Sequence, residues 1–121
     1  MKAFTEHPAF IEFEEDSFYS YKTDHWLFRF PNGYGASVIR GGIAFGSDTA
    51  PFELAVVQFN YDDDYQMCYN TPITHDVLGY LTETRVLDLL NQIQQLPDRI
   101  DFNGNLISTS VPKNVQLEFN F

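Results

Sequence analysis

The chain is poor in the residues that announce many common functions. It has a single cysteine, Cys68, so no intrachain disulfide can form and a cysteine-rich zinc site has no ligands to draw on. Basic residues are scarce: 7 Lys and Arg stand against 17 Asp and Glu in 121 residues, a formal charge of −10. A field of that sign repels phosphates, which argues against direct contact with nucleic acid or an anionic membrane surface. No apolar run approaches the ~18 residues that would suggest a membrane span, and the N-terminus lacks the basic-then-apolar pattern of a signal peptide. The expected location is the cytoplasm.

Recognisable chemistry is lacking too. His7, His25 and His75 show no H-x-H or H-x-x-x-H spacing, and neither acidic run has the sharp Gly bend and distant Glu of a calcium loop. Ser37, Ser47 and Ser108 stand outside a G-x-S-x-G context. No metal, cofactor or catalytic residue is expected, and the chain reads as non-enzymatic.

What is abundant is aromatic surface. The chain carries 12 Phe, 7 Tyr and 1 Trp and is 44% hydrophobic. Each buried aromatic removes about 150–250 Å² from water. That is enough for the core of one domain spanning 1–121, with no linker, repeat or low-complexity tract in view.

Residues 24–40 are the clearest organising stretch. Two strand-forming runs, near 25–30 and 34–40, flank Pro31-Asn32-Gly33, and Asn-Gly is the strongest short hairpin signal. Trp26, Phe28 and Phe30 fall on one face, because strand side chains alternate with period two. Gly35 suits close approach by another backbone or an aromatic ring.

Before the hairpin, residues 1–10 have no period and read as an arm or edge segment containing Pro8. A strand is expected near Phe10–Glu14 and another over Ser17–Tyr21, with the acids Glu14, Glu15 and Asp16 in the connection. After it, Phe52–Phe59 is apolar on both faces in its middle, as a central strand should be. Asn60–Asp64 turns the chain, and Tyr65–Tyr69 returns beside it. Asp76–Leu81 reads as a helical turn bent at Gly79. Val86, Leu89, Leu90 and Ile93 recur at helical spacing, so a helix is predicted over 83–96 with Thr82 as its N-cap. Val115, Leu117, Phe119 and Phe121 alternate and predict a C-terminal strand, which adds to this sheet or to another chain's, making a homo-oligomer. The fold class is α+β: a mostly antiparallel, twisted sheet of five to seven strands with one helix across a face.

Two sets of residues are candidate sites. Glu12, Glu14, Glu15 and Asp16, with Asp62, Asp63 and Asp64, form acidic clusters that suit a basic protein partner; solvated polar surface is the plain alternative. Arg29 and Arg40, beside Tyr34, are the cations of the hairpin and suit an anionic ligand such as a nucleotide; ion pairing with the acidic surface is the alternative.

The segments Trp26-Leu27-Phe28-Arg29-Phe30-Pro31-Asn32-Gly33-Tyr34-Gly35-Ala36-Ser37-Val38-Ile39 and Thr71-Pro72-Ile73-Thr74-His75-Asp76-Val77-Leu78-Gly79-Tyr80-Leu81, with Glu53-Leu54-Ala55-Val56 between them, resemble small uncharacterised proteins of bacteriophages and prophages. The resemblance spans roughly residues 24–96 and attaches no catalytic motif. It implies a phage accessory protein acting inside the bacterium, a class that often binds host or defence components in the manner of anti-CRISPR proteins. The leading expectation is an acidic, non-catalytic inhibitor of a host protein, presenting a nucleic-acid-like surface. An oligomer that sequesters nucleotides and a virion or assembly component are the alternatives.

Overall fold

The computed structural model describes residues 1–18, 21–60 and 64–100. Its elements run α1 (Lys2–Thr5), β1 (Phe10–Phe18), β2 (Tyr21–Arg29), β3 (Tyr34–Arg40), β4 (Phe52–Phe59), β5 (Tyr65–Met67), β6 (Leu78–Leu81) and α2 (Glu83–Gln94). Among the described residues the strands form one six-stranded sheet in the order β1-β2-β3-β4-β5, with β6 also paired to β4. Every pairing is antiparallel. The outer edge of β4 is shared, β6 taking Phe52 and Leu54 while β5 takes Val57 to Phe59.

Alternation decides which side chains meet the helix. Trp26 and Phe28 of β2, Ala36 and Val38 of β3, and Leu54 and Val56 of β4 belong to one buried cluster with Val86, Leu89, Leu90 and Ile93 of α2. Burying those four helix side chains contributes about 6–12 kcal/mol gross, before the entropy of ordering them. The helix begins as its sequence demands, with Thr82 Oγ1 accepting from the Arg85 amide at 3.2 Å. A smaller cluster of Leu27, Val57 and Phe59 is buried on the opposite face.

The turn of the central hairpin does more than reverse the chain. Gly33 adopts φ 92°, a conformation that suits glycine. Asn32 is buried, and its side-chain amide donates to the carbonyls of Ile93, Gln94 and Leu96 at 2.8, 3.2 and 3.1 Å. Its Oδ1 accepts from the Tyr34 amide at 3.0 Å. The last carbonyls of a helix have no partner within it, so a residue chosen for a β-turn caps α2 from 61 positions away in sequence. Arg99 ties the same corner, its amide donating to the Asn32 carbonyl at 3.0 Å and its guanidinium to the carbonyls of Gly33 and Phe59. At Gly35 a Cβ would lie 2.1 Å from the Phe28 carbonyl oxygen and 2.5 Å from the Phe59 ring, so both the backbone and the aromatic approach expected there are present.

Several expectations are corrected. Glu14, Glu15 and Asp16 do not form a connection; they lie within β1, paired with His25, Asp24 and Thr23. β1 ends the sheet among the described residues, and Glu14 and Glu15 are exposed there, as charges on such a strand can be. The segment before α2 is not a helical turn: Leu78–Leu81 is a strand, held by β4, and contact with a neighbouring strand overrides local propensity. Tyr65–Tyr69 pairs only over Tyr65–Met67. Residues 1–10 include a short helix whose Phe4 is fully buried, packed edge-on against Trp26, Phe28 and Phe52 with ring centroids 5.3, 6.0 and 5.1 Å away. The expected C-terminal strand 115–121 lies outside the described residues.

Replacing Asn32 by Ala removes the donor shared by the Ile93, Gln94 and Leu96 carbonyls, of which Ile93 keeps the Leu96 amide, and is expected to cost about 1 kcal/mol in urea unfolding. Asn32→Asp should cost more, since it sets a negative charge against them. An unchanged midpoint in both variants would remove the cap from the account.

His7 gives a pH signature. Its Nδ1 accepts from the Ala9 amide at 3.0 Å, its ring packs edge-on against Phe28 and Phe30, and burial lowers its pKa below 6.5. The unfolded chain then binds the proton more readily, so this contribution is intact above pH 6.5 and is lost as pH falls through and below it. The stability difference between wild type and His7→Gln should narrow on going from pH 7.5 to 5. A pH-independent difference contradicts the coupling.

Candidate functional site

The residues singled out in the sequence are positioned by strand register. Asp24 pairs with Arg40 and Arg29 with Gly35, so Arg29 and Arg40 project from opposite faces of the sheet. They also sit about 17 Å apart along β2 by strand rise. Arg40 lies on the helix side, where its Nε and Nη2 donate to Asp24 Oδ2 at 3.1 and 2.7 Å, and its guanidinium lies 5.0 Å from the Trp26 ring and 5.7 Å from that of Phe52. Arg29 lies on the other face, over the Phe59 ring at 4.6 Å.

Tyr34 joins neither arginine. It packs against the helix-side core with Arg99 5.9 Å from its ring. Burial raises its phenol pKa, the Cys68 thiol adds to the rise, and Arg99 opposes it. One site that holds Arg29, Arg40 and Tyr34 together is therefore not assembled.

Arg40 does line a cleft. About 520 Å³ opens beside the β3–β4 loop, bounded by Arg40, Gly41, Gly42, Ser47, Asp48 and Pro51 among others. Its one arginine is already engaged by Asp24, and Asp48 adds a second negative charge, so the cleft is electrostatically mixed.

The acidic residues are also divided. Glu12, Glu14 and Glu15 are exposed on β1, and Asp16 belongs to the same strand. Asp64 is exposed at the start of the β5 arm, four strand positions away, which is about 19 Å across the sheet. Asp62 and Asp63 lie outside the described residues. Within β1 the charges alternate sides. Glu12 and Glu14 pair with Leu27 and His25 and share their face, whereas Glu15 pairs with Asp24 and meets Lys22 at 3.4 Å on the helix side. Ile11 and Phe13 of the same strand are 48% and 45% exposed, so β1 presents apolar groups beside its acids, Phe13 on the helix side with Trp26.

Sequence reasoning missed one polar pair. His25 Nε2 and Ser37 Oγ are 2.8 Å apart on the face opposite the helix, beside Glu14, which stands across from His25. The signal was there: with the turn fixed at 30–33, facing residues sum to 64, which puts His25 diagonal to Ser37. Cys68 is buried, with its thiol 2.9 Å from Asn70 Oδ1. Among the described residues no three His, Cys, Asp or Glu side chains converge as a metal site would require, and no helix is long and apolar enough to cross a membrane. Comparison with protein-family models, with curated proteins and with solved structures finds no match to the chain.

The Arg40 cluster predicts a modest stability effect. Its ion pair is partly exposed and its stacking on two rings adds to it, so Arg40→Ala should lower unfolding free energy by about 1 kcal/mol. Arg40→Lys should keep the charge but lose the flat stacking contact, and so recover only part of that loss. Full recovery by Lys would show that charge alone matters there.

Proposed function

We propose that this chain is a non-catalytic acidic binding protein that inhibits a host protein by covering a basic surface where nucleic acid would otherwise sit. One observation carries the reading: β1 ends the sheet among the described residues, with Glu12 and Glu14 exposed on the face opposite the helix, Glu15 exposed on the helix side, and Ile11 and Phe13 exposed beside them. Carboxylates two residues apart on a strand recur at about 6.8 Å. Glu12 and Glu14 are such a pair, and two carboxylates on one face can engage neighbouring Lys or Arg side chains of a surface built for phosphates. The apolar pair supplies area that charge alone does not, and the −10 total charge adds long-range attraction to a cationic site.

The resemblance to phage accessory proteins points to a bacterial defence complex as the target and to the host cytoplasm as the place of action. The nucleotide-sequestering reading rests now on the Arg40 cleft alone, since the sheet separates Arg29 from it. Thermal-shift titration with nucleotides tests that alternative separately.

The leading reading is tested by mixing the protein with purified DNA-binding defence complexes. On a sizing column the expected result is co-elution that DNA competes away and that weakens as salt rises. The variant Glu12→Gln/Glu14→Gln/Glu15→Gln should lose about tenfold or more in affinity at physiological ionic strength. Absence of any complex, or equal affinity for wild type and variant, counts against it.

A further inference from the structure

We propose that Phe45 of the β3–β4 loop and Tyr80 of β6 form a second protein-docking surface, which takes a partner presenting an apolar pocket rimmed by Lys or Arg. Phe45 is 59% exposed, Tyr80 63% and the neighbouring Ile43 48%. Isolated apolar side chains on a surface are ordinary, whereas exposed aromatics on adjoining backbone segments are less so. Here two segments distant in sequence are bound to one another. The Tyr80 amide donates to the Phe45 carbonyl at 2.8 Å, and a Cβ at Gly79 would fall 2.7 Å from the Phe45 Cβ. The Phe45 amide in turn donates to Glu53 Oε1 at 3.0 Å. The backbone that carries each aromatic is thus pinned, so less main-chain freedom is lost when a partner covers them.

Tyr80 carries an independent sign. Its φ of 55° makes it the one non-glycine residue with positive φ among those described. It falls in a bulge, where Gly79 and Tyr80 stand opposite Glu53 alone, and bulges re-aim a side chain away from the regular ladder. β6 lies against β4 on the side of the sheet away from β1, so this surface is distinct from the acidic strand. It shares with the functional reading only the premise of a cationic partner.

Charge selects the occupant. Asp48, Glu53 and Glu83 flank the aromatic pair in sequence or contact, and the Arg40 guanidinium close to the loop is occupied by Asp24. A second copy would bring the same acids face to face across a two-fold axis, each copy bearing −10. A partner with a basic rim gains where a copy is repelled.

The test uses the full chain, labelled with ¹⁵N, and two synthetic peptides of equal length and charge, one alternating Lys with Leu and one alternating Lys with Ser. The Lys-Leu peptide should bind at least tenfold more tightly, with amide shifts centred on residues 43–48 and 79–81. Phe45→Ser/Tyr80→Ser should abolish that preference. Tyr80→Gly, which the positive φ accommodates, should reduce it without lowering the melting temperature and serves if the double variant folds poorly. Glu12→Gln/Glu14→Gln/Glu15→Gln should leave the preference intact, so failure of the acidic-strand reading and failure of this one are told apart. Equal affinity for the two peptides, a preference that survives loss of Phe45 and Tyr80, or a dimer in sedimentation that those substitutions dissolve would each overturn the proposal.

Discussion

The Asn32 side chain is the contact on which the arrangement of sheet and helix depends. Its amide closes the end of α2 while its carbonyl oxygen holds the start of β3. A helix docked only by aliphatic side chains can slide or rotate with modest loss, because apolar contact is non-directional. Hydrogen bonds to successive terminal carbonyls have direction, so they fix where along the sheet the helix stops. Val86, Leu89, Leu90 and Ile93 then meet the strands in one register. Arg99 reinforces the same corner from the chain that leaves the helix.

With the helix side of the sheet set, period-two alternation distributes everything else. It sends Arg40 under the helix-side aromatics and Arg29 to the far face, which divides a pair of cations that lie close in sequence. It places Glu15 beside Lys22 and leaves Glu12 and Glu14 on the other side of the strand. The chemistry available at the surface follows from these registers, that of β2 on β3 being fixed by the turn at 30–33.

Features carried by local pattern were legible in the sequence, and those carried by distant contact were not. α2 was readable from the spacing of Val86, Leu89, Leu90 and Ile93 and from Thr82 at its start. β4 was readable from its apolar middle, and Gly35 from the bareness of its position beside aromatic neighbours. β1 was half hidden, since three successive acids look like a loop until an edge strand is known to carry them. Phe4 gave no periodic signal; its place in the core is decided by Trp26, Phe28 and Phe52 far along the chain. Asn32 was seen, but as a turn former, and nothing nearby in sequence reveals that its amide faces a helix end. The candidate site fared similarly. The acidic character was visible in composition, whereas its division between two edges needed the strand order.

The sharing of β4's outer edge between two short strands has a consequence for how molecules of this protein behave in a crowd. Sheets polymerise by adding strands to long, flat, open edges. On this side the edge is broken into β5 and β6, neither longer than four residues, and between them the chain departs from the ladder. On the opposite side the available strand is studded with carboxylates that repel an identical neighbour. A molecule so rich in phenylalanine would otherwise be a candidate for fibre growth. Among the described residues, both flanks therefore discourage strand addition by an identical chain.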